Sequence, residues 1–191
     1  MTNLLAEKSR LITKQFSNKQ KVIVNLSSGD LELYPAKDHQ IQLLVTTTYP
    51  ANEYDILIKD NSDQLKLSEQ IIREKAKGQS LWKLYVPQRR DCEVQIRISS
   101  GDIKVLGLAN PLVLTGGSSD ISLTNCTGEA QLLTASADIK IRDHSGNLRL
   151  KSASGDLKIK KMTGNLEFKT SSGDIDIENV TGQITMKASS G

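Results

Sequence analysis

The chain has 191 residues, of which 37% are hydrophobic and 4% aromatic, and a formal net charge of +3. Counting glycine, its apolar share falls near the globular norm of about 45–50%, which excludes an intrinsically disordered chain. The balance of 25 basic against 22 acidic residues argues against a dedicated nucleic-acid binder. No apolar run approaches the roughly 18 residues of a membrane helix. Two cysteines cannot make a disulfide framework, and the opening residues lack the basic and then apolar pattern of a signal peptide.

In chain order, residues 1–20 form a lead segment. Leu5, Ile12 and Phe16 there predict a short amphipathic helix over 4–16. Residues 21–98 read as irregular β structure. Val22/Val24, Leu31/Leu33, Ile41/Leu43/Val45, Ile56/Ile58, Leu65/Leu67, Leu84/Val86 and Val94/Ile96/Ile98 all alternate with a period of two. Tyr49-Pro50-Ala51-Asn52 and Val86-Pro87 break the pattern, so hairpins or longer corners must intervene. Trp82 and Tyr85 concentrate bulk in this part, which predicts that it caps the C-terminal half of the chain.

From residue 99 onward the sequence is periodic. Asp102, Asp120, Asp138, Asp156 and Asp174 are 18 residues apart, each two residues after Ser100, Ser118, Ser136, Ser154 or Ser172. Gly128, Gly146, Gly164 and Gly182 keep the same spacing. Apolar pairs from Ile103/Val105 to Ile184/Met186 start every nine residues, with a spacing of two inside each pair. A helix would need spacings of three and four; a strand with one buried face needs two. Each 18-residue unit is therefore two short strands and two corners, one coil of a single-stranded parallel β-solenoid. The crossover rule predicts a right-handed winding. The inward columns are Ile103, Ile121, Ile139, Leu157, Ile175 and, facing them, Leu112, Ala130, Leu148, Leu166, Ile184. The corner Ala188-Ser189-Ser190-Gly191 elsewhere precedes Asp and a new strand, so the natural chain is expected to continue past Gly191.

Several rows invite a chemical reading. The five aspartates could hold calcium, but that motif needs Gly-Gly corners every nine residues; short side chains bonding corner N–H groups fit better. Cys126 and His144 share a repeat position with Leu108, Met162 and Val180, which makes core packing the expectation over a nucleophile or metal ligand. Cys92 lies outside the repeats and His39 on a loop. Lys140, Arg142, Lys158 and Lys160 project from one outer face, with Lys161 at the next corner. Arg149, Lys151, Lys169 and Lys187 project from the other, with Glu167 among them. The first set is the candidate face for an anionic partner. Hydrolase, zinc-protease, phosphate-loop and CxxC motifs are missing, so no catalytic, cofactor or metal residues are assigned.

Val86-Pro87, then Ile98-Ser99-Ser100-Gly101-Asp102-Ile103 and the repeated Ser-Gly-Asp-Ile/Leu and Thr-Gly-x-Leu units, resemble the bacterial putative-adhesin β-strand-repeat family, a domain-of-unknown-function family, over roughly residues 20–191. The resemblance implies a non-enzymatic β-solenoid of the cell envelope or its stress response, binding a protein, glycan or anionic envelope component. The alternatives are a self-assembling structural element, joined end to end through open strand edges, and, more remotely, a glycan-active β-helix enzyme.

Overall fold

A computed structural model describes residues 9–73 and 75–189. Among these the chain is all β. The N-terminal part holds β1 (Arg10–Phe16), β2 (Lys21–Leu26), β3 (Asp30–Pro35), β4 (Ile41–Thr47), β5 (Tyr54–Asp60), β6 (Gln64–Ile71) and β7 (Ser80–Val86). The periodic part holds β8 (Glu93–Ser100), β9 (Ile103–Leu106), β10 (Leu112–Ser118), β11 (Ile121–Thr124), β12 (Ala130–Ser136) and β13 (Ile139–Ser145). It ends with β14 (Leu148–Ser154), β15 (Leu157–Thr163), β16 (Leu166–Thr170), β17 (Ile175–Thr181) and β18 (Ile184–Ala188).

Two sheets face each other. The front sheet runs β1-β4-β7-β3-β9-β11-β13-β15-β17, and the back sheet runs β5-β6-β2-β8-β10-β12-β14-β16-β18. From β8 onward the chain alternates between them and every neighbour is parallel, with Leu112 on Val94, Ala130 on Leu112 and Leu148 on Ala130. This is the 18-residue coil read from the repeat. Ile103, Ile121, Ile139 and Leu157 fill one column and Leu112, Ala130, Leu148 and Leu166 the facing one, all buried. Each fully buried aliphatic chain contributes about 1.5–3 kcal/mol, which a single coil could not obtain alone. Toward the last coil the burial fades: Ile184 is 43% exposed and Met186 50%.

The helix expected over 4–16 is corrected. Residues 10–16 form β1, antiparallel to β4, with Ile12 opposite Val45 and Phe16 opposite Ile41. Ile12, Lys14 and Phe16 also satisfy a period of two, and the edge of β4 provides the partner that a lone amphipathic turn lacks. Residues 1–8 lie outside the described residues, as do Ser190 and Gly191, on which the expected continuation rests.

The irregular N-terminal part is more ordered than its spacing suggested. β2 and β3 form a full coil that stacks on β8 and β9, Val22 on Val94 and Leu31 on Ile103. Their other side carries β6 and β7, also parallel. The chain thus lays down β2/β3, runs out through β4 and β5, builds β6/β7 on top, and then returns past its first coil to start β8. The boundary expected at residue 99 falls inside β8. Antiparallel β5 and the β4–β1 pair finish the two sheets. Of the breaks read from sequence, Pro50 opens the turn between β4 and β5, which lie in different sheets, and Pro87 ends β7; the hairpin is β5–β6.

This end is closed by bulk. Trp82 is fully buried and its Nε1 donates to the Tyr54 hydroxyl at 2.9 Å; Tyr54 stacks on Tyr49 with centroids 5.1 Å apart. Burial pushes the Tyr54 hydroxyl pKa well up. Beside it the buried Glu69 carboxylate accepts from the Ser27 and Ser28 amides at 2.9 and 3.0 Å and from the Ser80 hydroxyl at 2.6 Å. Glu69 thereby pins the corner that joins β2 to β3.

Candidate binding surface

The surface is built by the corners beneath it, which hold the coils in register. Asp102 donates its backbone N–H to Asp30 Oδ1 at 2.9 Å, Asp156 to Asp138 at 3.0 Å and Asp174 to Asp156 at 2.9 Å. Asn147 and Asn165 do the same at the opposite corner, accepting from Asn165 N at 3.1 Å and Gln183 N at 3.2 Å. The aspartate row is therefore an inter-coil ladder rather than a set of local turns: each of these carboxylates bonds the amide one rung away. Glycine is required at the opposite corner, beside the asparagines. Gly146 has φ 144°, and a Cβ there would lie 2.0 Å from the Gly128 carbonyl oxygen.

On the front face, register places Lys140 beside Lys158 and Arg142 beside Lys160. The structure brings all four residues of the candidate anionic face together, but two are engaged. Lys158 holds Asp176 at 2.7 Å and Lys160 holds Glu178 at 3.0 Å, both one rung further on. The hydrogen bond within the first pair raises the Lys158 pKa and lowers that of Asp176. Lys161 lies 3.7 Å from Asp143. Lys140 and Arg142 make no ion pair among the described residues.

The back face differs in kind. One outward column reads Arg97, Thr115, Leu133, Lys151, Lys169, Lys187, and its neighbour reads Gln95, Val113, Gln131, Arg149, Glu167, Thr185. Between them runs a shallow groove of ≈ 480 Å³ lined by Val113, Thr115, Gln131, Leu133, Arg149, Lys151 and Glu167. Leu133, 52% exposed, and Val113 make its apolar floor. Arg149 and Lys151 stand at one end. Glu167 is shared, 2.8 Å from Lys169 and 3.7 Å from Arg149, and the Lys169 bond holds its carboxyl below the usual range. Lys151 and Lys187 make no ion pair among the described residues. Sequence reading found these cations but not the groove. The signal was present in Val113 and Leu133, apolar residues at outward positions of the strand alternation.

The remaining candidates are buried or apart. Cys126 and His144 face the core at the corner, as Leu108 and Met162 do. Burial pushes the Cys126 thiol pKa up and the His144 pKa down, with a backbone contact to Gly128 partly offsetting the latter. Cys92 is buried and free, and His39 is exposed in the loop between β3 and β4.

A family model described as Toastrack DUF4097 matches residues 11–191. No curated protein matches the sequence. Among solved structures the chain is similar to a putative cell adhesion protein from Clostridium sporogenes, at 13% identity and TM-score 0.37, covering 95% of this chain and 100% of that one. It is also similar to a putative adhesin from Bacteroides fragilis, at 13% identity and TM-score 0.42, covering 95% and 97%. A putative lipid binding protein from Parabacteroides distasonis matches at 12% identity and TM-score 0.28, covering 93% and 96%.

Proposed function

The chain belongs to the Toastrack DUF4097 family, and from that premise we propose that it is a non-enzymatic binding module of the bacterial cell envelope or its stress response, holding an anionic partner against the back face of its solenoid. The observation that carries this reading is the groove between Leu133 and Arg149, where an apolar floor meets cations repeated at the coil spacing. Neighbouring strands are about 4.8 Å apart, so the column Lys151, Lys169, Lys187 places a lysine at each of three successive rungs, Lys169 sharing Glu167 while Lys151 and Lys187 make no ion pair among the described residues. The paired strands already fix the backbone beneath these side chains, so no loop has to be ordered on binding, which favours an extended or flat anionic partner. The front face contributes through Lys140 and Arg142, since Lys158 and Lys160 already hold carboxylates.

Co-sedimentation with vesicles of phosphatidylglycerol or phosphatidylcholine, and with an acidic polysaccharide, tests this. Binding is expected to the anionic probes only and to weaken with salt. At about 1 kcal/mol per cation near an anionic surface, the pair Lys151→Gln and Lys187→Gln should bind roughly 30-fold more weakly. Unchanged binding by that pair rules out the back face, and loss only with Lys140→Gln and Arg142→Gln moves the site to the front.

A further inference from the structure

One corner column carries chemistry that neither the fold nor the outer faces use. Cys126, His144 and Met162 occupy the same place in three successive coils, 18 residues apart, with exposures of 5%, 3% and 1%. Backbone pairing fixes the rungs: Ser145 N bonds the Cys126 carbonyl at 3.0 Å, and His144 sits in register with Met162. Neither ring nitrogen of His144 completes a hydrogen bond despite its burial, the Gly128 backbone offering only a looser polar contact. The Cys126 Sγ donates to the Thr124 carbonyl at 3.4 Å and to that of Val105 at 3.6 Å, the weak hydrogen bonds of a thiol. Cys126, His144 and Asn110 line a narrow recess of ≈ 10 Å³, with Thr127 and Glu129 at the same recess, and the Asn110 Oδ1 beside it is also unpartnered. A buried polar atom left without a partner is costly, so this corner gains from an occupant.

We propose that the corner binds a soft monovalent metal ion, copper(I) by preference, between Cys126 Sγ and a ring nitrogen of His144, with the Met162 thioether as an additional ligand from the next rung. Thiolate and thioether donors select copper(I), and imidazole suits copper as well. Charge decides the valence. Binding releases the thiol proton to solvent, and a thiolate with a monovalent ion is neutral, which a dry aliphatic corner tolerates. A divalent ion would leave a net positive charge buried there. Zinc would also want four ligands, and among the described residues no group of three His, Cys, Asp or Glu converges.

The test is anaerobic titration of the intact chain with copper(I) against a competing copper(I) chelator, with zinc(II) as the comparison. One equivalent of copper(I) should bind, raising the thermal midpoint, and zinc should not saturate. Cys126→Ser should weaken copper(I) binding at least 100-fold, beyond the roughly 10–100-fold that loss of an outer-shell partner costs. His144→Leu should weaken it strongly, Met162→Leu less, and Cys92→Ser not at all. X-ray absorption of the loaded, unsubstituted protein gives a readout that no variant's folding can disturb, and it should show sulfur and imidazole nitrogen together around the metal. No competition-resistant copper(I) binding, a sulfur-only shell, tighter zinc than copper, or loss on Cys92→Ser would each overturn the proposal.

Discussion

Gly107 and Asn125, just after β9 and β11, and Asp143, Lys161 and Asn179, at the matching place within β13, β15 and β17, repeat one backbone conformation, with φ between 53° and 65°. Glycine takes it freely, and asparagine and aspartate tolerate it because their short side chains bond locally, whereas a lysine there costs about 1–2 kcal/mol. The Lys161–Asp143 contact at 3.7 Å is exposed and offsets little of this. Lys161→Asn should therefore stabilise the fold by about 0.5–1 kcal/mol, read as a raised midpoint in chemical denaturation. The strand residues give the complementary case. Ile139→Ala removes a fully buried column member and should cost about 2–5 kcal/mol. Lys140→Ala, its outward neighbour, should stay within about 0.5 kcal/mol. Equal costs in paired denaturation curves would reverse the inward and outward assignment of β13.

At the scale of paired strands, β3 and β7 are joined across the front face by a polar cluster. Glu32 accepts from the Tyr34 hydroxyl at 2.9 Å and lies 3.1 Å from Lys83 Nζ on the neighbouring strand. Burial works to raise the Glu32 pKa, but the bonds from Lys83 and Tyr34 outweigh it and hold the carboxyl below its ordinary 4.5. The folded state therefore binds a proton less readily than the unfolded chain. Its contribution is complete above pH 4.5 and is lost as the pH falls through the lower, folded value. The stability gap between the native chain and Glu32→Gln, of order 1 kcal/mol, should be constant at neutral pH and close in acid. A gap that persists unchanged at about pH 3 would mean that Glu32 acts through packing and not charge. The β-solenoid was legible at this scale because the nine-residue period names both the strand and the face it buries. The inter-coil bonds of the aspartates were not. A repeat of 18 says which residues stack, but not that a carboxylate reaches up to the next amide instead of back to its own turn. β1 stayed hidden for a related reason: Ile12 and Phe16 fit a helix turn and a strand equally, and only the edge of β4, far along the chain, selects the strand.

At the scale of the molecule, the periodic coils could be drawn from sequence alone, whereas the β2/β3 coil was hidden in a stretch read as irregular β structure. What its spacing concealed was the insertion between that coil and its neighbour. Val22 and Val94 stack although 72 residues separate them, because β4 and β5 run out and β6/β7 are laid on the far side of that coil before the chain returns. The binding groove was concealed differently: it has no loop or insertion to mark it and arises from two apolar side chains left outward on a cationic face.

The threaded first coil also sets how the molecule would bear load. Coils from β9 onward follow one another in the chain and are held by successive ladders, so tension on the C-terminal side would peel them one at a time. Each 18-residue coil would release about 60 Å of extended chain. Peeling must stop at β2/β3, which is gripped by β6/β7 on one side and β8/β9 on the other while Glu69 clamps its corner. Pulled from that side, the protein is a yielding ruler mounted on a block that gives way only as a whole.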